Sequence, residues 1–193
     1  MKEDILEQVV DDYLQSLGYF TRHNVKFKPR SGHPKFDQKA DSVPSDIDVI
    51  GLNPRRRGHA KVLVVSCKSW QSGFNVQSRL AELKHNKKRS GRESWQFFRE
   101  LMVPKWTQAF FDAVFRETGS RSFTYVTAVT KLSGDRLEWE RHPRFTRALR
   151  GNPIKLLSLY EIATEMLPGI TTTPASSETG RMLQLLKAAG LVS

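Results

Sequence analysis

Charged side chains interrupt two apolar segments that otherwise have the pattern of core β-strands. The first segment, residues 45–51, carries Asp46 and Asp48, and the second, residues 61–68, ends in Lys68. Because alternate side chains of a strand share a face, we expect the two aspartates to point to one side of the first strand. If the two strands pair, their polar ends converge on one small region.

Carboxylates next to a lysine suit the metal-assisted hydrolysis of a phosphodiester. That reaction needs an activated water and a positive charge near the phosphorus, and Mg²⁺ held by oxygen ligands supplies both. One or two carboxylates are enough, because Mg²⁺ keeps several of its own waters. A lysine orients the attacking water or stabilises the developing charge.

Strict alternation along the two strands also predicts which face the other side chains occupy. It places Ile50 with the two aspartates on the first strand, and it places Ser66 with Lys68 on the second. Cys67 then points to the opposite side. We therefore interpret Cys67 as a buried core thiol and not as a nucleophile.

The surrounding sequence predicts the elements that hold these residues. Apolar residues at helical spacing predict a helix over residues 4–17, and Gly18 is a common kind of helix terminator. Glu7 lies at the edge of this apolar stripe, where its side chain can face a sheet. The connection over 53–60 favours an antiparallel hairpin between the two polar-ended strands. Further predicted elements are strands over 19–28, 123–132 and 154–159 and helices over 104–118 and 159–167.

The charge of the chain indicates a polyanionic partner. The 193 residues carry a formal net charge of +11, with a sequence pI near 10.0. Residues 1–53 hold seven basic and nine acidic side chains, so the positive excess lies in the remainder, with 24 basic and 11 acidic. Such an excess favours nucleic acid, because each neutralised phosphate releases counterions. A solvated basic surface with no partner is the alternative.

Two basic segments are candidate nucleic-acid-binding surfaces. One is a turn between the polar-ended strands, and the other is a stretch over residues 79–92 in which a single acidic residue, Glu82, occurs. Phosphate contacts from such residues position a nucleic acid but do not read its sequence. The candidates are Arg55, Arg56 and Arg57 in the turn, and Arg79, Lys84, Lys87, Lys88, Arg89 and Arg92 in the stretch.

Other kinds of site lack their motifs. The five histidines show no metal-ligand spacing, and the chain has no Gly-rich phosphate loop and no Gly-x-Ser-x-Gly elbow. A single cysteine excludes an internal disulfide and fits a reducing compartment. The acidic N-terminus is unlike a signal peptide, and no run of about 18 apolar residues occurs. We therefore expect a cytoplasmic protein with no membrane partner.

Segment composition predicts the domain organisation. A chain of this length can bury one core without disulfides. We expect one domain over residues 1–170, a linker rich in Thr, Ser and Pro over 171–180, and an amphipathic helix over 181–193. That helix would pack on the domain or on a partner.

The order of these elements resembles the PD-(D/E)XK nuclease superfamily. In that family an aspartate precedes two or three apolar residues, and Asp48-Val49-Ile50-Gly51 has this form. The acid-x-Lys that ends an apolar strand in the family falls on Ser66-Cys67-Lys68, and its helix-borne glutamate falls on Glu7. The resemblance is to the archaeal Holliday-junction-resolvase-like and Mrr-like restriction branches, and it covers about residues 4–70.

This resemblance implies a fold and an activity. The fold is α/β with a restriction-endonuclease-like core, in which helices flank a central mixed sheet. The activity is that of a DNA endonuclease that depends on Mg²⁺ or Mn²⁺, with DNA as partner and a homodimer or a partner protein as further associations. Asp48 and Glu7 would hold the metal with support from Asp46, Lys68 would position the attacking water, and Ser66 would be a secondary catalytic residue.

Ser66 is a departure from the family, which has Glu or Gln at this position. A serine hydroxyl is uncharged and short, so a working site needs an acid from elsewhere in the chain. Asp46 is the nearest candidate, and Glu82 and Glu93 follow the motif. Without such an acid, we expect a catalytically degenerate module that binds nucleic acid, or a subunit of a larger restriction, transposition or repair complex.

Each of these residues taken alone also has an ordinary structural explanation. The aspartates would cap a strand end or pair with the arginines of the turn, and Glu7 would be a surface residue of its helix. Lys68 would cover apolar surface with its stem while its ammonium group reaches water. The joint order of the residues along the chain favours the nuclease interpretation over these alternatives.

Overall fold

The helices and strands follow each other in α/β order along the chain. The computed structural model describes residues 4–89, 91–173, 175 and 177–192. Its helices are α1 (Ile5–Ser16), α2 (Gln38–Asp41), α3 (Val76–Lys84), α4 (Arg99–Met102), α5 (Pro104–Thr118), α6 (Arg136–Glu140), α7 (Pro143–Ala148), α8 (Leu159–Met166) and α9 (Glu178–Ala188). Its strands are β1 (Phe20–Phe27), β2 (Ser45–Leu52), β3 (Val62–Lys68), β4 (Phe74–Asn75), β5 (Lys88–Arg89), β6 (Arg92–Glu93), β7 (Thr124–Val129), β8 (Leu132–Ser133) and β9 (Ile154–Ser158). Within these described ranges, no helix is long and apolar enough to cross a membrane.

A five-stranded mixed sheet is the centre of the fold, with the strand order β1-β2-β3-β7-β9. The pairs β1–β2 and β2–β3 are antiparallel, and the second is the pairing that the hairpin prediction requires. The pairs β3–β7 and β7–β9 are parallel, so the chain crosses over through helices between them. The predicted class, α/β with a central mixed sheet flanked by helices, is confirmed.

The sheet buries a core layer on each face. One layer, called here the α5 layer, contains Val62 and Val64 of β3 together with Trp106 and Phe110 of α5. The other, called here the α1 layer, contains Val65 of β3 with the apolar stripe of α1 and residues of α8. Side chains of β3 therefore alternate between the layers as predicted, and apolar side chains cover both faces of this central strand.

Helix α1 is fixed against the sheet at both of its ends. At its start, one carboxylate oxygen of Asp4 accepts a hydrogen bond from the Leu6 amide at 2.8 Å, and the other accepts one from the hydroxyl of Ser69. Ser69 directly follows β3, so the first turn of α1 lies beside the end of that strand. Further along, α1 packs so closely on β2 that a Cβ at Gly51 would lie 3.1 Å from Leu14. Glu7 is held over the sheet by these contacts.

Strand β2 does not alternate strictly, which corrects one assignment made from the sequence. Ile47 and Ile50 both pack in the α5 layer, whereas Val49 packs in the α1 layer. The irregularity therefore lies at Asp48. The register of β1 and β2 pairs His23 with Val49 and Val25 with Ile47, and Asn24, between them, has a positive φ of 52°, a conformation that few residues other than glycine adopt. The strict alternation that places Asp48 and Ile50 on one face therefore does not hold through this part of β2.

The C-terminal helix begins earlier than predicted. Helix α9 starts at Glu178, because the hydroxyl of Ser177 caps it by accepting a hydrogen bond from the Gly180 amide at 3.0 Å. The last three residues of the predicted linker are thus helical. Leu183 of α9 packs on the α1 layer, while Met182 and Leu185 are exposed. Residues 174, 176 and 193 of the predicted linker and helix lie outside the described residues, and the division of the chain into domain, linker and helix remains a prediction.

Asp41 anchors the segment between β1 and β2 to α5. Its side chain is fully buried and accepts hydrogen bonds from the Trp106 indole at 2.9 Å, the Lys105 ammonium at 2.5 Å and the Asp37 amide at 2.8 Å. Burial alone raises the pKa of Asp41, but these hydrogen bonds outweigh it and hold the pKa below its usual value. The charged form of Asp41 therefore stabilises the fold at neutral pH.

The substitution Asp41→Ala is expected to lower the free energy of unfolding by about 2 to 4 kcal/mol, because it leaves the buried Trp106 indole N–H without its acceptor and the mostly buried Lys105 ammonium without its charged partner. Urea unfolding at neutral pH measures the loss. Asp112→Ala is the control, since Asp112 contacts Arg30 at 3.5 Å and Gln108 at 2.8 Å at the surface, and it should cost less than about 0.5 kcal/mol. Equal losses for the two variants would show that Asp41 is not an anchor.

Candidate active site

The site lies where β2 and β3 separate. The two strands pair from Leu52–Val62 to Val49–Val65, and the next residue of β2 is Asp48. Instead of continuing the ladder, the Asp48 carboxylate accepts a hydrogen bond from the Cys67 amide at 2.5 Å. The backbone of β3 thereby binds the side chain of Asp48. This bond joins the strand that carries the aspartate to the strand that ends in Lys68.

Lys68 points to the same side of β3 as Ser66, as predicted. Its ammonium donates a hydrogen bond to the Ser66 hydroxyl at 2.7 Å and lies 5.5 Å from the centre of the Phe98 ring. Ser66 is buried, whereas Lys68 is partly exposed. The lysine is thus held by a residue of β3 and by an aromatic ring, with its side chain partly exposed.

The surroundings of Asp48 disfavour the charged form of its carboxylate. Burial raises the pKa of Asp48 to about 6, although the Lys68 ammonium and the Cys67 amide both oppose the rise. The carboxylates of Asp46 and Glu100 contribute to it by repulsion. The positive charge near Asp48 is therefore too small to offset the cost of burying its ionised carboxylate.

Glu7 brings a second carboxylate from α1 to the same place. Burial raises the pKa of Glu7 to about 7, and the charges of Asp48, Asp4 and Asp46 add to the rise, with only His23 opposing it. The two carboxylates that the sequence analysis placed in one site are thus electrostatically coupled in the structure. Perturbed carboxylates that face one another in this way are typical of functional sites.

A buried chain of hydrogen-bonding groups extends from Lys68 into the protein. The hydroxyl of Tyr125 on β7, a fully buried residue, donates a hydrogen bond to the Glu100 carboxylate on α4. Burial and Glu100 raise the pKa of Tyr125 well above its usual value, while hydrogen bonding with the Ser66 hydroxyl opposes the rise. Two hydrogen bonds, from Lys68 to Ser66 and from Tyr125 to Glu100, therefore lie next to each other, with the Ser66 hydroxyl acting on Tyr125.

The acids that the sequence analysis offered in place of Ser66 are engaged elsewhere. Asp46 forms an ion pair with Lys26 at 2.5 Å, although its charge is still felt at Asp48. The carboxylate of Glu82 pairs with Arg79 at 2.6 Å. Glu93 accepts a hydrogen bond from the Trp95 indole and caps the following turn.

Glu100 is the acid that the sequence analysis missed. It is 6% exposed and lies in a short helix that begins only at Arg99. The signal in the sequence was an acidic residue inside the apolar stretch 95–103, since a carboxylate in such a setting is buried with a partner. No helical stripe was visible there, so the sequence alone did not show which way Glu100 points.

The side chains of this site fit a magnesium ion only if one or two carboxylates are its protein ligands. In the described part of the chain, no group of three or more His, Cys, Asp or Glu side chains lies close enough together to hold a metal. Mg²⁺ is nevertheless often bound by one or two carboxylates, several waters and substrate phosphate oxygens. Glu7 and Asp48 supply that number, and a bound cation would offset the burial that raises both pKa values and the Asp48 charge that adds to the rise at Glu7.

The structure does not bring the basic turn to this site. Arg55, Arg56 and Arg57 follow the far end of β2, and Asp48 is four residues before that end. At about 3.3 Å per residue, the end of β2 at Leu52 is about 13 Å along the strand from Asp48, and the turn follows beyond it. Arg56 lies over the Tyr19 ring at 5.2 Å. The turn is therefore at the far end of the sheet, and its role in nucleic-acid binding stays a prediction.

The second basic segment contains both structural and exposed residues. Arg79 is buried and lies over one side of the Trp70 ring at 4.6 Å, and Arg89 lies over the same ring at 4.8 Å. Trp70 is two residues beyond Lys68, so this contact holds the β5–β6 hairpin near the site. Arg79 is thus a packing residue and is not available to a phosphate. The exposed cations of the segment are Lys84, Lys87, Lys88 and Arg92.

Comparisons with known proteins give one distant structural neighbour. No protein-family model matches the chain, and no curated protein sequence matches it. A solved structure described as "Crystal Structure of Protein of Unknown Function AF1548" is similar, with a TM-score of 0.40 and 14% sequence identity. The similarity covers 98% of this chain and 80% of that chain. A similarity of this degree identifies neither a family nor an activity.

The substitution Glu7→Gln is expected to stabilise the protein at pH 8 and to leave its stability nearly unchanged at pH 4.5. The pKa of Glu7 is higher in the fold than in the unfolded chain, so ionising it destabilises the fold as the pH rises through about 7. Urea unfolding at both pH values measures the difference. The expected gain at pH 8 is about 1 kcal/mol, because partial exposure screens the repulsion.

Glu138→Gln is the matched control for this experiment, because Glu138 is an exposed helical glutamate. It should change stability by less than about 0.5 kcal/mol at either pH. If Glu7→Gln behaves like Glu138→Gln at pH 8, the repulsion between Glu7 and Asp48 is absent.

Proposed function

We propose that this protein is a metal-dependent DNA endonuclease of the PD-(D/E)XK type. The observation that carries the proposal is that Asp48, at the point where the strands separate, interacts with the charges of both Glu7 from α1 and Lys68 from β3. The strongly basic composition supports DNA as the substrate. The family order of these residues, which the sequence shows, supports the reaction type.

The residues have separate roles in this proposal. Asp48 and Glu7 hold Mg²⁺ or Mn²⁺, and the ion, when bound, supplies a polarised water and neutralises charge on the phosphate. The partly exposed Lys68 has its ammonium held by Ser66 and Phe98. There it orients the attacking water or meets the charge that develops on the phosphate. Asp46 adds negative charge to the site from its ion pair with Lys26.

Glu100 provides the negative charge that the family has at the position of Ser66. Ser66 accepts a hydrogen bond from Lys68, Tyr125 donates one to Glu100, and the Ser66 hydroxyl also acts on Tyr125. Hydrogen-bonded groups polarise one another in a buried setting, so the charge of Glu100 can act on the groups behind Lys68. Glu100 is in this proposal a positioning residue for Lys68.

A catalytically degenerate nucleic-acid-binding module is the second candidate function. Two observations favour it, namely the serine at position 66 and the lack of a three-residue metal group among the described residues. Such a module would bind DNA without a metal requirement, alone or within a larger complex. Binding that survives Asp48→Ala in the absence of any metal-dependent cleavage would select it.

Purified protein is expected to cleave DNA in Mg²⁺ or Mn²⁺, and Lys68→Ala and Asp48→Ala should each reduce the rate at least about 100-fold. Supercoiled, linear and branched DNA are tested in parallel on gels, with EDTA as the metal-free control. Lys61→Ala is the matched control, because Lys61 is an exposed lysine next to the opposite end of β3. Cleavage that is equally fast in Lys61→Ala and Lys68→Ala would mean that the nuclease activity does not come from this site.

The substitutions Glu100→Gln and Tyr125→Phe are expected to slow cleavage about 10- to 100-fold. They should lower kcat with little change in KM, because Ser66 and the Lys68 ammonium are no longer supported from behind while the residues that bind DNA are unchanged. Steady-state kinetics measure this split, and thermal unfolding shows whether each variant is folded. Folded variants that cleave as fast as the unchanged protein would show that Glu100 does not position Lys68.

A further inference from the structure

A large open groove lies beside the site and contains none of the basic residues that the sequence analysis selected. It has a volume of about 950 Å³ and runs between the end of β1, with the segment that follows it, and helix α5. Among the described residues that line it, Lys26, Lys28, Arg30, Lys105 and Arg116 are basic and Asp112 is acidic. The groove therefore has a positive lining.

One wall of the groove carries a regular row of cations. Exposure alternates from residue 25 to residue 30, so that Phe27 and Pro29 are buried while Lys26, Lys28 and Arg30 are exposed. In an extended chain, alternate residues are about 6.6 Å apart on one face. Three evenly spaced positive charges fit a polymer with repeating negative charges better than they fit a single small anion.

The charges of this row are available to a ligand. Lys28 makes no ion pair with any residue in the described ranges. Arg30 meets Asp112 at 3.5 Å with a side chain that is 87% exposed. Lys26 pairs with Asp46 through a side chain that is 51% exposed. Exposed pairs of this kind contribute about 0 to 1 kcal/mol, so a phosphate can replace the acidic partner at small cost.

The opposite wall holds the groove in shape. Arg116 of α5 donates a hydrogen bond to the Lys26 carbonyl at 3.4 Å, which joins α5 to the end of β1. Lys105, at the start of α5, is held by Asp41 and by the Lys35 carbonyl. The segment between β1 and β2 is thereby fixed against α5. The groove is a built feature of the fold and not an open loop.

The groove leads to the candidate active site. Lys26, the first cation of the row, pairs with Asp46, whose charge raises the pKa of both Asp48 and Glu7. At the same end, Arg99, which precedes Glu100, donates a hydrogen bond to the Val43 carbonyl next to the groove. A nucleic-acid strand bound along the row of cations would therefore end at Lys26, whose partner Asp46 is two residues from Asp48.

We propose that the groove binds the phosphodiester backbone of a DNA strand and directs it toward Asp48 and Lys68. Lys28 and Arg30 are its main phosphate contacts, and the Arg55–Arg57 turn is not part of it. The direction of the strand toward a cleavage site rests on the proposed function, whereas the binding of phosphates to this row does not.

The test is equilibrium binding of fluorescent DNA in EDTA, where no cleavage occurs, with a single strand and a duplex as separate arms. The double variant Lys28→Gln/Arg30→Gln is compared with Arg55→Gln/Arg57→Gln, which removes the same charge from exposed positions at the far end of the sheet. The groove variant should bind about 10- to 30-fold more weakly at about 0.15 M salt. Its plot of log affinity against log salt should flatten by about 1.8 for duplex or about 1.4 for single strand.

The turn variant should bind within about twofold of the unchanged protein. Equal weakening by both variants, no weakening by the groove variant, or no DNA binding by the unchanged protein would each overturn the proposal. Groove-dependent binding without cleavage in Mg²⁺ would support the groove and reject the nuclease. Cleavage by the unchanged protein with normal binding by the groove variant would reject the groove alone.

Discussion

The hydrogen bond from the Cys67 amide to the Asp48 carboxylate joins the two strands on which the site depends. It forms where the β2–β3 ladder stops, and it holds a charged side chain in a place where a sheet would normally bury an apolar one. Raising the pKa of Asp48 from 3.8 to about 6 corresponds to about 3 kcal/mol at neutral pH. A fold keeps such a cost when the residue has a use beyond stability.

The elements around this bond explain why the carboxylates converge. Helix α1 begins at Asp4, which binds Ser69 just beyond β3, and this contact places Glu7 over the end of the strand. On the other face of β3, Tyr125 and Glu100 lie behind Ser66 and Lys68. The charge of Asp48 thus acts on Glu7, the charge of Lys68 acts on Asp48, and a third acid is held behind the lysine.

Much of the sheet was predictable from the sequence because its strands are apolar runs with clear ends. The pairing of β2 with β3 followed from the hairpin connection, and the shared face of Ser66 and Lys68 followed from alternation. Alternation failed at Asp48, since no local pattern announces that Asn24 adopts a positive φ. Glu100 was missed because its position depends on tertiary packing of a one-turn helix, which periodicity does not report.

The positions of the basic surfaces in the fold were likewise not predictable from the sequence. Clusters of consecutive cations such as Arg55–Arg57 are conspicuous in a sequence, but topology decides which end of the sheet they occupy. The row of Lys26, Lys28 and Arg30 became visible only when the buried side chains between them were known. For Asp48 and Glu7, the central claim is that they form a coupled pair suited to a cation.

That claim is tested most directly by following the carboxyl carbons of Asp48 and Glu7 by NMR as a function of pH, with and without Mg²⁺. The account predicts midpoints near pH 6 for Asp48 and near pH 7 for Glu7, both shifted to lower pH when Mg²⁺ is present. Midpoints near the ordinary value of about 4, or midpoints that Mg²⁺ leaves unchanged, would contradict it.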